Sequence, residues 1–153
     1  MELGLKNKVV VITGGSQGIG KAAGLEFAAE GCKVCVCARR QEKLDAARED
    51  FRRMGYDLFA VKADVTKPEE LEAFADAVVK KYGRIDIWIN NAGTNQYKKV
   101  IDYGYEDLMQ IIHTNLVAVI IGCKIAADSA FCQQLGFPIG HGIHICGRFT
   151  GED

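Results

Sequence analysis

The chain has no excess of either charge: 19 basic and 20 acidic side chains give a formal net charge of -1. Without a basic patch there is no electrostatic footprint for nucleic acid or an anionic membrane, so a small-molecule partner is expected. No apolar run approaches the roughly 18 residues of a spanning helix, and the start, MELGLKNKVV, lacks the apolar core and cleavage site of a signal peptide. No membrane partner and a cytoplasmic location are the resulting expectations. Low-complexity linkers, charge blocks and internal repeats are also missing, and a 153-residue chain that is 48% hydrophobic has enough apolar material for one core. A single domain spanning residues 1–153 is expected.

Six cysteines are present, and Cys32 with Cys35 forms a Cys-x-x-Cys, but no second pair follows at zinc-site spacing. Cys35 and Cys37 lie in an extended apolar segment, where a thiol in a reducing compartment behaves as a small buried hydrophobe. His141 and His144 stand three apart in an apolar stretch, a spacing that sends the rings to opposite faces of a strand. No metal site is expected.

Lys8 to Thr13, KVVVIT, is the unbroken β-branched run of a parallel strand covered on both faces. A glycine turn follows, then apolar Ile19, Ala23 and Phe27 at helical spacing, with Gly31 at the C-terminal cap. The rhythm repeats. Lys33 to Ala38 reads as a strand, Gln41 to Met54 as a helix closed by Gly55, and Leu58 to Ala63 as a strand. Thr66 and Glu69 form a capping box with Pro68 inside the first turn, and Leu71, Phe74, Ala75, Val78 and Val79 share one helical face that Gly83 ends. Ile85 to Asn90 is a fourth strand, Tyr105 to about Ala130 a long helix interrupted near His113 to Asn115, and Gly142 to Cys146 a candidate fifth strand. Alternating strands and helices predict an α/β fold, a doubly wound parallel sheet with ligands beyond the carboxyl ends of its strands.

The turn after the first strand, Thr13-Gly14-Gly15-Ser16-Gln17-Gly18-Ile19-Gly20, sits between a buried strand and a helix start. Glycines there let the backbone approach a pyrophosphate held among the free N–H groups of the helix. At the end of the second strand an NAD site would offer an acidic side chain to the ribose 2′-hydroxyl. Ala38 occupies that position here, and Arg39 and Arg40 follow, whose guanidinium donors suit a 2′-phosphate.

The spacing T-G-x-x-x-G-I-G resembles the short-chain dehydrogenase/reductase family. So do Asp64-Val65 at the end of strand three, Asn90-Asn91-Ala92-Gly93 at the end of strand four, and Asn115 in the long helix. The resemblance covers about residues 6 to 125 and implies a Rossmann-type sheet, truncated after about the fifth strand. It also implies that Thr13, Gly14, Ser16, Gln17, Gly18, Ile19, Gly20, Arg39, Arg40, Asp64, Val65, Asn91, Ala92 and Gly93 bind the cofactor, with NADP(H) favoured over NAD(H). Asp64 would hold the adenine ring, and Asn115 would be the family's catalytic Asn, supporting a water in a proton relay. The activity implied is hydride transfer between NADPH and a ketone or secondary alcohol. The family also implies a homo-oligomer packed through the helix at 105–130. In finer detail, Trp88 to Asn95 resembles some chlorophyll b reductases, and the general run of the chain resembles 3-oxoacyl-carrier-protein reductases.

The family's Tyr-x-x-x-Lys is not present: Tyr56, Tyr82, Tyr97, Tyr103 and Tyr105 are followed four positions on by Ala60, Asp86, Ile101, Asp107 and Met109. At the expected position of the family's Ser stand Cys146 and Gly147, and Ser129 and Thr150 are out of place for that role. From about residue 128 the pattern fades into an atypical tail, so a truncated or frame-shifted product of a longer reductase is one expectation. The competing reading is an inactive NADP-binding fragment or pseudoenzyme. A methyltransferase is disfavoured by Asn90 to Gly93 and by the missing acidic residue after strand two.

Overall fold

The computed structural model of the chain describes residues 3–128 together with the backbone of 144–146. Five strands form one parallel sheet in the order β3-β2-β1-β4-β5, made of β1 (Val9–Thr13), β2 (Lys33–Ala38), β3 (Leu58–Lys62), β4 (Ile87–Asn90) and β5 (His144–Cys146). Helices α1 (Gly18–Ala29), α2 (Gln41–Arg53) and α3 (Pro68–Tyr82) connect the first four strands. A long helical stretch follows β4, made of α4 (Tyr105–Ile112), a π-helical turn (His113–Val117) and α5 (Ala118–Asp128). The expected doubly wound Rossmann-type sheet is therefore the observed fold. Strand order reverses between β1 and β4, which opens a crevice at their carboxyl ends.

Side-chain alternation explains the two layers. Val10, Ile12, Val34 and Val36 face Ala28 of α1 and Leu44 and Phe51 of α2, while Val9, Val11, Cys35 and Cys37 face α3 and Ala118 of α5. All five residues of β1 are buried, as a central parallel strand covered on both faces requires. In β4, Trp88 is 2% exposed and donates its indole N–H to Asn90 Oδ1 at 2.9 Å, and Gly122 lets α5 lie against that pair.

Two expectations change. The Thr66–Glu69 capping box does not form: α3 begins at Pro68 with Lys67 as its N-cap, because proline prefers the first helical position and so moves the start one residue on. Second, the stretch Tyr105–Asp128 is 24 residues long with a mean hydropathy of 1.6, long and apolar enough by length and composition to cross a membrane. Scattered polar residues such as His113, Thr114 and Asn115 hide this from a search for unbroken apolar runs, and only 17% of its most apolar window is buried. The expected fifth strand is described over His144–Cys146, where its register pairs Trp88 with His144 and Asn90 with Cys146. The expectations placed on Ser129, Ala130, His141, Gly142, Ile143, Gly147, Thr150 and the side chains of His144 and Cys146 lie outside the described residues.

Candidate functional site

A cleft of about 780 Å³ opens past the carboxyl ends of the strands, a volume in the range of small-molecule sites. Its floor is built where β1 runs into the glycine turn. Thr13 is 3% exposed, and its hydroxyl oxygen accepts the backbone N–H groups of Asn91 and Ala92, each at 3.0 Å. Asn91 returns the contact, its amide donating to the carbonyls of Thr13 at 3.0 Å and Gly14 at 3.1 Å. These bonds lace the turn to the end of β4, so the two sides of the crevice hold a fixed distance.

Space at the turn is rationed. Gly14 has φ +68, and a Cβ there would lie 2.8 Å from Ala92 Cα, so both conformation and contact demand glycine. A Cβ at Gly20 would lie 2.7 Å from the Gly14 carbonyl and would also collide with the Asn91 amide, so α1 can seat against the turn only without a side chain. Gln17 is the N-cap of α1 but offers no side-chain capping bond, and no acidic residue stands in the first turn. The first N–H groups of the helix therefore keep their capacity for an anion, reinforced by the positive end of the helix dipole. The residues present fit a pyrophosphate-bearing nucleotide: a glycine cradle that Cβ atoms would fill, next to an uncapped helix start.

Of the residues singled out in the sequence, Gly14, Ser16, Gln17 and Gly18 line the cleft from the turn, and Arg39 and Arg40 from the end of β2. Asp64 and Val65 line it after β3, and Asn91, Ala92 and Gly93 after β4. Thr13 and Gly20 sit behind this surface as its supports, and Ile19, 63% exposed, is not part of the lining of this cleft. Ala38, Ala63, Thr94, Asn95 and Thr114 also line the cleft. Thr94 and Asn95 follow directly on Gly93, so the rule that ligands lie past strand ends would have found them; buried Thr114 carries no such signal.

The two arginines differ. Arg40 Nη2 donates to Gln17 Oε1 at 3.2 Å, and its Nε lies 3.9 Å from Glu42. The exposed Arg39 guanidinium makes no ion pair among the described residues. Asp64 is tied from several sides: its Oδ1 accepts the Thr66 hydroxyl at 2.7 Å and the Thr66 N–H at 3.0 Å, and its own N–H donates to Glu70 Oε2 at 2.8 Å. Lys67 bonds the other Glu70 oxygen at 2.8 Å, and that bond, with the Asp64 N–H, holds the Glu70 carboxyl below its ordinary range.

Asn115 lies in the π-helical turn, the interruption expected in the sequence. Its side chain accepts the Thr94 N–H at 2.8 Å and donates to the Thr94 carbonyl at 2.7 Å. Both amide groups are thus spent on the segment that walls the cleft, and Thr94, rather than Asn115, forms its surface.

Burial pushes the thiols of Cys35 and Cys37 up to about 12, so neither is a nucleophile at neutral pH. Burial also raises the Tyr82 hydroxyl, the wrong direction for a base. That residue ends α3, which runs back from the carboxyl edge of the sheet to the opposite one. Among the described residues no three His, Cys, Asp or Glu side chains gather as a metal site.

A family model described as short chain dehydrogenase matches residues 8–136. The 3beta-hydroxysteroid dehydrogenase 1 of Eggerthella lenta is 39% identical over 127 residues, covering 81% of this chain and 48% of that protein. The chloroplastic chlorophyll(ide) b reductase NOL of Arabidopsis thaliana is 33% identical over 147 residues, covering 94% of this chain and 41% of that protein. Among solved structures, a short-chain type dehydrogenase/reductase from Mycobacterium marinum superposes with a TM-score of 0.80 at 32% identity, covering 86% of this chain and 52% of that one. The chain thus spans under half the length of each of these two curated relatives.

Proposed function

The chain belongs to the short-chain dehydrogenase family, and from that premise we propose that it is the dinucleotide-holding part of an NADP-dependent oxidoreductase acting on a ketone or secondary alcohol. The observation that carries the reading is the laced glycine turn, in which Asn91 and Thr13 hold an uncapped helix start at the mouth of the cleft. The N–H groups of α1 would bind the pyrophosphate. Arg39 would pair with the 2′-phosphate, and the absence of an acidic residue at Ala38 removes the usual ribose 2′-hydroxyl acceptor of an NAD site. Asp64 and Val65 would border the adenine, and Ala92 and Gly93 would run beside the rest of the nucleotide. When bound, the nicotinamide supplies or takes up the hydride. Asn115, through its two bonds to Thr94, would fix the wall on which the substrate side of the site is built.

A second reading is favoured by one sequence fact. No tyrosine in the chain is followed four residues later by a lysine, and a tyrosine of ordinary pKa near 10 is a poor base at neutral pH without a cationic neighbour. On this reading the chain binds NADP and turns nothing over. Cytoplasmic residence is supported by the unbridged buried thiols of Cys32, Cys35 and Cys37. A homo-oligomer is supported by the apolar face of the helical stretch Tyr105–Asp128, where Leu116 in the π-helical turn is 55% and Ile120 in α5 60% exposed.

Calorimetric titration of the purified chain with NADPH and NADH, followed by an NADPH oxidation assay with a panel of ketones, tests both readings. Tighter binding of NADPH, by about tenfold or more and lost in Arg39→Ala, is the expected result. Turnover of a ketone would establish the first reading and its absence the second, and failure to bind either nucleotide would sink both.

A further inference from the structure

Glu70 and Thr66 have no part in the family motifs, yet both are spent on one neighbour. The Asp64 backbone N–H is taken by Glu70, and Asp64 Oδ1 receives two donors from Thr66, its hydroxyl and its N–H. Lys67 in turn holds Glu70 from its other oxygen. Asp64 therefore stands in a turn whose backbone and carboxylate are both fixed, and its Oδ2 accepts no hydrogen bond among the described residues. Asp64 lines the cleft. A carboxylate with one saturated and one open oxygen accepts a hydrogen bond from an amine and repels a carbonyl oxygen.

We propose that Thr66 is a positioning residue for base selection: by saturating Asp64 Oδ1 it leaves Oδ2 as a fixed acceptor that selects a nucleotide carrying an exocyclic amino group over one carrying a keto oxygen. This deepens the dinucleotide reading and rests on it. Glu70 serves the same end from behind, holding the backbone of Asp64 so that the carboxylate cannot swing with the turn. A site built to accept such a donor discriminates against an analogue that lacks it, because the half-buried acceptor is then left facing another acceptor.

The test is a ratio. The full 153-residue chain is titrated with NADPH and with its deaminated analogue, in which hypoxanthine replaces adenine and nothing else changes. Wild type is expected to favour NADPH by about tenfold or more. Thr66→Val is expected to narrow that preference to about threefold or less, and Thr66→Ser, which restores the hydroxyl, to recover it. Because both nucleotides titrate the same folded molecules, the ratio does not depend on how much of a variant folds. A Thr66→Val chain that weakens toward both nucleotides equally, or keeps the wild-type preference, overturns the proposal, since Thr66 would then only shape the turn. Equal wild-type affinities would overturn it too while leaving the dinucleotide reading intact. Binding of neither nucleotide by wild type would instead overturn the dinucleotide reading and this proposal with it.

Discussion

The first half of the sheet and the long helical stretch are both strongly apolar, but they dispose of that apolarity in opposite ways. β1 buries all five of its residues between two helical layers, and the polar groups at its end are paired across to β4. The stretch Tyr105–Asp128 leaves Tyr105, Leu108, Ile112, Leu116 and Ile120 exposed, and fixes its neighbouring loop with surface contacts such as Lys98 to Asp107 at 2.7 Å. Apolar content alone therefore does not identify a core. The turn and its strands bury their own apolar groups, whereas the helical face leaves several of its large apolar side chains exposed.

The sharpest way to break this contrast is at the turn. Gly14→Ala must carry a side chain at φ +68 and push its Cβ to 2.8 Å from Ala92 Cα, so a loss of about 3 kcal/mol in urea unfolding is expected, together with loss of nucleotide binding. Gly55→Ala serves as its control: φ is +81 there, but no atom lies within 4 Å of the new Cβ, so about 1 kcal/mol is expected. Similar costs for the two would show that the Ala92 contact is not what makes the turn exacting.

On the helical side the expected loss is of association rather than of fold. A double variant, Leu116→Glu with Ile120→Glu, should unfold within about 0.5 kcal/mol of wild type per site, yet sediment as a smaller species. An unchanged sedimentation profile would remove this face as the surface of association.

The smallest effect lies in the loop that joins the two regions. The Lys98 ammonium, followed by the Gly104 N–H, holds the Asp107 carboxyl below its ordinary range. Its folded value being depressed, the contribution is present above the ordinary carboxylate range and is lost as pH falls through the lowered value. The melting-temperature advantage of wild type over Asp107→Asn should therefore shrink between about pH 6 and about pH 3. An advantage that is flat with pH would mean that the ion pair contributes nothing to the loop.

Periodicity carried the fold. The β-branched runs, the alternation that sends Val9 and Val10 to different layers, and the glycines that end helices were legible because they are local consequences of backbone geometry. The cleft was legible for the related reason that strand ends in such sheets converge. Partnerships between distant segments were not. Asn115 was found through the resemblance to the family, but its engagement with Thr94, 21 residues away, depends on how the helix crosses the end of β4. Thr66 shows the opposite failure: its capping pattern was present in the sequence, but Pro68 claimed the first helical position and the hydroxyl went to Asp64 instead. Where two local rules compete for one residue, the one that fixes the backbone wins.

Trp88 carries one more consequence. It is the chain's only tryptophan, it is packed against Phe74 with ring centres 6.4 Å apart, and its indole N–H is bonded to the residue that precedes Asn91. All of the protein's indole fluorescence thus originates from one dry position directly beneath the wall of the cleft. The molecule contains its own optical probe, able to follow, without a label, whether the strand end that holds the glycine turn is formed.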